Sequence, residues 1–172
     1  WLLFGSTIWV GLALIVNHPL DMAIEPFGIH LIEFFGGYLV ARVAIRSARD
    51  FQRVVRLLFL IVLMLLPFAA IESISRQPVL LQFFPTNTVA IINADIRLGM
   101  RRAQTIFAHP ILFGVFVSSG LGLFWYSLQP NWLRLPAAVA VGLSTLFSLS
   151  TGALLSLVAQ SVFIGWEAIM KA

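Results

Sequence analysis

Residues 57–74 read LLFLIVLMLLPFAAIESI, an apolar run interrupted by a single charged side chain, Glu72. A helix rises about 1.5 Å per residue, so about 17–25 apolar residues cross the hydrocarbon core of a bilayer. Five other apolar runs occur along the chain, at 2–17, 27–45, 110–127, 135–149 and 152–170. The sequence therefore predicts an all-α fold, a polytopic membrane helical bundle of about six transmembrane helices.

The composition agrees with a protein that is solvated by lipid. Of the 172 residues, 60% are hydrophobic and 10% are charged, whereas a soluble domain has about 45–50% apolar and about 25% charged residues. The absence of cysteine excludes disulfides and thiolate metal sites. In a membrane protein, a net charge of +4 reflects which loops hold Lys and Arg and does not by itself indicate nucleic-acid binding. We therefore expect the lipid bilayer as a partner and no nucleic acid.

The loops predict the orientation of the bundle. Residues 46–56 form a compact basic stretch between two spans, which the positive-inside rule assigns to the cytoplasm. Residues 75–109 then form one long periplasmic loop within a single transmembrane domain, 1–172. The chain opens at Trp1 and stops just after an apolar stretch, so we expect a fragment of a longer protein.

The long loop carries more positive charge than an outer loop is expected to have. Its arginines are Arg76, Arg97, Arg101 and Arg102, against one acid, Asp95. On a helix, Arg97 and Arg101 would share a face, since they are four residues apart. Guanidinium groups bind phosphate through a planar fork, so the cluster predicts a site for a multiply charged anion such as a lipid-linked pyrophosphate. Alternatively, these arginines reach to lipid headgroups.

Three other ionisable side chains are candidates for chemistry. His109 precedes Pro110 at the start of a span, where it is either a general base, a donor to phosphate, or an ordinary polar interface residue. Glu33 lies inside the second span, where an ionisable group costs about 2.5–3.5 kcal/mol, and Glu72 lies near the outer end of the third span, where the cost is milder. Each is either a catalytic acid or a member of an ion pair, for example with a loop arginine. The histidines are not at metal-ligand spacing, so we expect no metal and no cofactor.

Three stretches of the chain resemble one known family. Residues 97–114, RLGMRRAQTIFAHPILFG, resemble the arginine-rich stretch and His-Pro pair of the O-antigen ligase and polysaccharide polymerase family. Residues 149–157, LSTGALLSL, are similar to that family's next landmark, and 32–42, IEFFGGYLVAR, look like its exopolysaccharide-production members. Thr151 stands where many relatives have arginine, which favours a polymerase or exopolysaccharide-type member over a strict ligase.

The resemblance implies a glycosyltransferase of the bacterial inner membrane. Such an enzyme transfers or polymerises glycan from an undecaprenyl-diphosphate-linked donor to a sugar acceptor on the periplasmic face, during surface polysaccharide, lipopolysaccharide or exopolysaccharide biosynthesis. We expect Arg97, Arg101 and Arg102 to bind the donor diphosphate, and His109 and Glu33 to be catalytic. Positive charge aimed at the leaving diphosphate lowers the barrier without a metal.

Two other classes of protein fit the same features. A transporter or flippase-like carrier of an anionic or lipid-linked substrate would line its passage with Glu33 and the loop arginines. Such carriers often contain internal repeats with broken helices, and no such symmetry is visible in this sequence. A structural membrane subunit would use the charged loop to dock a partner, and its arginines would tolerate exchange for lysine.

Overall fold

The structure is a computed structural model that describes residues 2–83 and 96–171. The part of the predicted periplasmic loop between 84 and 95, with Asp95, lies outside the described residues. The chain divides into two compact units, Trp1–Phe51 and Gln52–Ala172. The prediction of an all-α fold is confirmed, since helices account for 82% of the structure.

The first unit contains a pair of apolar helices. Helix α1 spans Leu2–Asn17 and helix α2 spans Leu20–Ala44. The ring centroid of Phe4 on α1 lies 5.5 Å from that of Phe35 on α2, so the two helices contact each other through aromatic side chains. Helix α2 begins seven residues before the predicted run at 27, since Pro26 lies inside the helix and does not end it.

The second unit is built around four long helices. Helix α3 spans Ala48–Ser75, with its first turn in the first unit, and a short helix, α4, spans Val79–Phe83. Helices α5, α6 and α7 span Pro110–Ser127, Arg134–Ser148 and Thr151–Met170, with a 3-10 turn at Asn131–Leu133. The core lies between α3, α5 and α6, and its fully buried members include Val55, Val62, Ala69, Phe113, Val117, Phe124 and Val141.

Four helices among the described residues, α2, α3, α5 and α7, are long and apolar enough to cross a membrane. Their outer surfaces agree with contact to lipid, since α7 exposes large apolar side chains such as Val162, Phe163 and Trp166. Helices α1 and α6, with 16 and 15 residues, are shorter, so the predicted count of about six spans stays a prediction.

Small residues allow the helices of the second unit to approach closely, as expected for packing in lipid. A Cβ atom at Gly114 on α5 would lie 2.6 Å from the Ser148 hydroxyl and 2.9 Å from the Ala153 Cβ. Farther along α5, the side-chain amide of Gln160 on α7 accepts from the Gly122 N–H at 2.9 Å. The same amide donates to the Ser118 carbonyl, also at 2.9 Å, so it joins α7 to the backbone of α5.

Residues 96–101 form a β-hairpin. Strand β1, Ile96–Arg97, pairs antiparallel with strand β2, Met100–Arg101. The two turn residues between them, Leu98 and Gly99, have φ values of 52° and 78°. Positive φ at both central residues is the geometry of tight hairpin turns, and it interrupts a helix. The helical spacing expected for Arg97 and Arg101 is therefore wrong, and the two side chains belong to opposite strands.

Candidate functional site: the arginine loop

The arginine loop, defined as residues 96–109, is fixed to the end of α3 by a buried carboxylate. Glu72 is 1% exposed, and its Oε2 accepts hydrogen bonds from the backbone N–H groups of Thr105 at 2.8 Å and Gln104 at 3.3 Å. A buried carboxylate is costly unless hydrogen bonds and an opposite charge compensate it. The loop supplies the hydrogen bonds through its backbone and the charge through Arg101.

Arg101 forms the ion pair with Glu72. Its Nε lies 3.7 Å from Glu72 Oε1, and both side chains are almost fully buried. A second guanidinium nitrogen, Nη1, donates to the carbonyl of Arg76 at 3.3 Å, while the Ser73 hydroxyl donates to the Arg101 carbonyl at 2.9 Å. Arg76 in turn donates to the carbonyl of Gly99 at 2.7 Å. One of the alternatives for Glu72, an ion pair with a loop arginine, is thus the arrangement that the structure has.

The other two arginines contact the end of α6. Arg102 Nε donates to the carbonyl of Ser148 at 3.2 Å, and Arg97 Nη1 donates to the carbonyl of Leu149 at 3.4 Å. The N–H of Ala103 adds a bond to the carbonyl of Phe147 at 2.9 Å. The last carbonyls of a helix lack internal partners and carry partial negative charge, so cations are favourable there. Contact with these carbonyls therefore gives a structural explanation for the excess of positive charge in the loop.

The three predicted phosphate-binding arginines differ in their access to solvent. Arg101 and Arg102 are each 4% exposed, whereas Arg97 on the hairpin is exposed. A ligand outside the bundle can therefore contact Arg97 directly. Contact with Arg101 or Arg102 would require the loop to open, and their predicted role in binding stays a prediction.

His109 caps the first turn of α5. Its Nδ1 accepts a hydrogen bond from the N–H of Ile111 at 3.1 Å, and Pro110 occupies the first helical position. A neutral imidazole has a lone pair on only one ring nitrogen, so Nε2 carries the hydrogen in this arrangement. The geometry therefore favours His109 as a donor to phosphate over His109 as a general base, which would need the lone pair that the cap uses.

Glu33 lies on α2 in the first unit, with an exposed side chain. One turn before it, the ring of His30 stacks on Phe34 at a centroid distance of 5.3 Å. The arginine loop belongs to the second unit. The predicted participation of Glu33 in catalysis therefore stays a prediction.

The interior of the arginine loop contains polar groups that sequence reasoning missed. Gln104 and Thr105 are each 1% exposed, although they look like ordinary polar residues of an outer loop. Among the described residues, the Gln104 amide nitrogen, the Thr105 hydroxyl and Arg101 Nη2 are buried without a hydrogen-bond partner. The sequence does contain a signal for their burial, since both residues lie between the paired arginines and the His-Pro pair. Within residues 2–83 and 96–171, no three His, Asp or Glu side chains gather to hold a metal ion.

No protein-family model, curated protein or solved structure matches this chain.

Proposed function

We propose that the protein is an inner-membrane glycosyltransferase of the O-antigen ligase or polysaccharide polymerase type. It transfers or polymerises glycan from an undecaprenyl-diphosphate-linked donor on the periplasmic face. The supporting observation is that residues 97–114 and 149–157, two of the stretches that carry the resemblance, lie against each other. Arg97 donates to the carbonyl of Leu149 in the turn between α6 and α7, and Gly114 packs on Ala153; Arg102 donates to Ser148, the residue just before this stretch.

The proposed chemistry rests on fixed positive charge at this junction. Transfer of the glycan leaves a diphosphate whose negative charge increases, and cations that are already in place stabilise it. In this proposal, Arg97 contacts the diphosphate directly, because its side chain is exposed. Arg101 and Arg102 are positioning residues that hold the hairpin against α3 and α6 and add to the positive potential. His109 donates from Nε2.

The test is a comparison of Arg97 variants in cells whose only copy of the full-length protein carries the substitution. We expect Arg97→Ala and Arg97→Lys both to reduce surface polysaccharide by about tenfold, since one charge-assisted hydrogen bond of about 1.5 kcal/mol is lost in each. Membrane levels of the protein should stay normal. Arg56→Lys is the matched control, because Arg56 is an exposed arginine near the other end of α3.

The burial of Arg101 and Arg102 also favours a second candidate, a structural membrane subunit. In that case the arginine loop only joins α3 to α6. Polysaccharide output would then be unchanged in Arg97→Ala, and that result would overturn the glycosyltransferase proposal in favour of the structural one.

A further inference from the structure

A cavity lies at the end of the second unit that is opposite the arginine loop. Its volume is about 210 Å³, and α5, α6 and α7 all contribute to its wall. Trp125 and Ile164 form an apolar side, and the polar side consists of Tyr126, Arg134, Glu167 and Lys171. Ligand pockets for drug-sized molecules have volumes of about 300–1,000 Å³, so this cavity suits a small group such as a phosphate.

The polar side of the cavity carries a net positive charge. Glu167 is held by two donors, since the Tyr126 hydroxyl bonds to one carboxylate oxygen and the Lys171 ammonium bonds to the other. Two cations, Arg134 and Lys171, therefore face one anion, which leaves a formal charge of +1 at the rim. An ammonium group has three donors, so Lys171 can bond to Glu167 and to a further oxygen at the same time.

The position of Arg134 favours an anion beside it. It is half-buried, and its Nε donates to the carbonyl of Leu128 at 3.4 Å. It is also the first residue of α6, where the helix already presents partial positive charge. A cation at that position is unfavourable by itself, whereas an anion between Arg134 and Lys171 would compensate both side chains and the helix end.

We propose that this cavity binds the phosphate group of an anionic phospholipid. Arg134 and Lys171 contact the phosphate oxygens, and the apolar side formed by Trp125 and Ile164 lies along the lipid chain. Two neighbouring tryptophans, Trp132 and Trp166, are 70% and 62% exposed, as is typical of the interfacial region of a membrane. A lipid headgroup is the source of phosphate that this surrounding favours. The inference is independent of the proposed transferase activity.

The test measures thermal unfolding of the full-length protein in a neutral detergent by tryptophan fluorescence. The added probes are dihexanoyl phosphatidylglycerol, dihexanoyl phosphatidylcholine and inorganic phosphate. We expect phosphatidylglycerol at saturating concentration to raise Tm by about 5 °C or more, and phosphatidylcholine to raise it less, because its choline cancels the charge. Inorganic phosphate should have little effect, since it cannot use the apolar side of the cavity.

The variants identify the site. The double substitution Arg134→Gln with Lys171→Gln should abolish the shift caused by phosphatidylglycerol, while the control Arg56→Gln, outside the cavity, should retain it. Arg134→Lys keeps the charge and should retain part of the shift, which guards against a double variant that fails to fold. An absent shift in the native protein, or a full shift in the double variant, would overturn the proposal. Equal shifts with inorganic phosphate and phosphatidylglycerol would overturn the lipid source.

Discussion

The two ends of the second unit both carry clustered positive charge, but the protein holds these charges in different ways. At the arginine loop, Arg101 and Arg102 are 4% exposed, and their donors serve Glu72, Arg76 and Ser148. At the cavity, the Lys171 side chain is 73% exposed. Burial beside carbonyls and a carboxylate makes a cation part of the packing, whereas exposure beside a cavity leaves it accessible to a ligand. Substitutions at the two ends should therefore have different consequences.

The largest effect is expected at Glu72. Glu72→Ala leaves the charge of Arg101 buried without its partner, which costs about 3–5 kcal/mol. We expect this loss in the free energy of unfolding, measured by titration with denaturing detergent. The double variant Glu72→Leu with Arg101→Met should recover much of it, because an apolar pair of similar volume can replace a buried ion pair. A loss below about 1 kcal/mol for Glu72→Ala would contradict the ion pair as an organising contact.

A smaller effect is expected at Gly114, where α5 meets the end of α6. The added methyl of Gly114→Ala would contact the Ser148 hydroxyl, which is itself held by donation to the Thr145 carbonyl at 2.7 Å. Overpacking of this kind costs about 1–3 kcal/mol and should lower Tm. Gly142→Ala is the matched control, since a Cβ built at Gly142 would meet no described atom within 4 Å apart from its chain neighbours and the backbone of its own helix. Unfolding of both variants at the Tm of the native protein would refute this contact.

The smallest effects compare the same conservative change at the two ends. Arg102→Lys removes the Nε donor to Ser148 from a buried site, and we expect a loss of about 1–2 kcal/mol. Arg134→Lys keeps the charge at a half-buried site and should change stability by no more than about 0.5 kcal/mol. Parallel thermal melts of the two variants check this difference. Equal losses would contradict the expectation that the buried Arg102 depends on its Nε donor more than the half-buried Arg134 does.

The helices could be predicted from the sequence because lipid imposes a simple pattern on them. The predicted runs at 2–17, 110–127, 135–149 and 152–170 match α1, α5, α6 and α7 within a residue or two. The starts of α2 and α3 were missed because both helices begin before their apolar runs. Apolar runs mark the part of a helix that lipid can cover, and a helix can extend beyond that part.

The candidate site could be predicted only in part. The arginines and His109 were identified from charge and from the His-Pro pair, but their environment depends on residues far away in the chain. Glu72 meets the N–H groups of Gln104 and Thr105, which are more than thirty residues later. The turn at Leu98 and Gly99 likewise depends on local backbone geometry, since both residues have positive φ. The contact of Arg97 and Arg102 with the carbonyls at the end of α6 depends on tertiary structure. Spacing in the sequence cannot reveal such partners.

The side chain of Gln160 joins α7 to α5 through hydrogen bonds. Its amide is bonded to the carbonyl of Ser118 and to the N–H of Gly122, so it is attached to the backbone of α5, and it also donates to the hydroxyl of Ser156 one turn earlier on α7. Sliding or rotation of one helix against the other would have to break both bonds in an apolar setting. These two bonds therefore tie the middle of α5 to α7, between the cavity at one end of the unit and the arginine loop at the other.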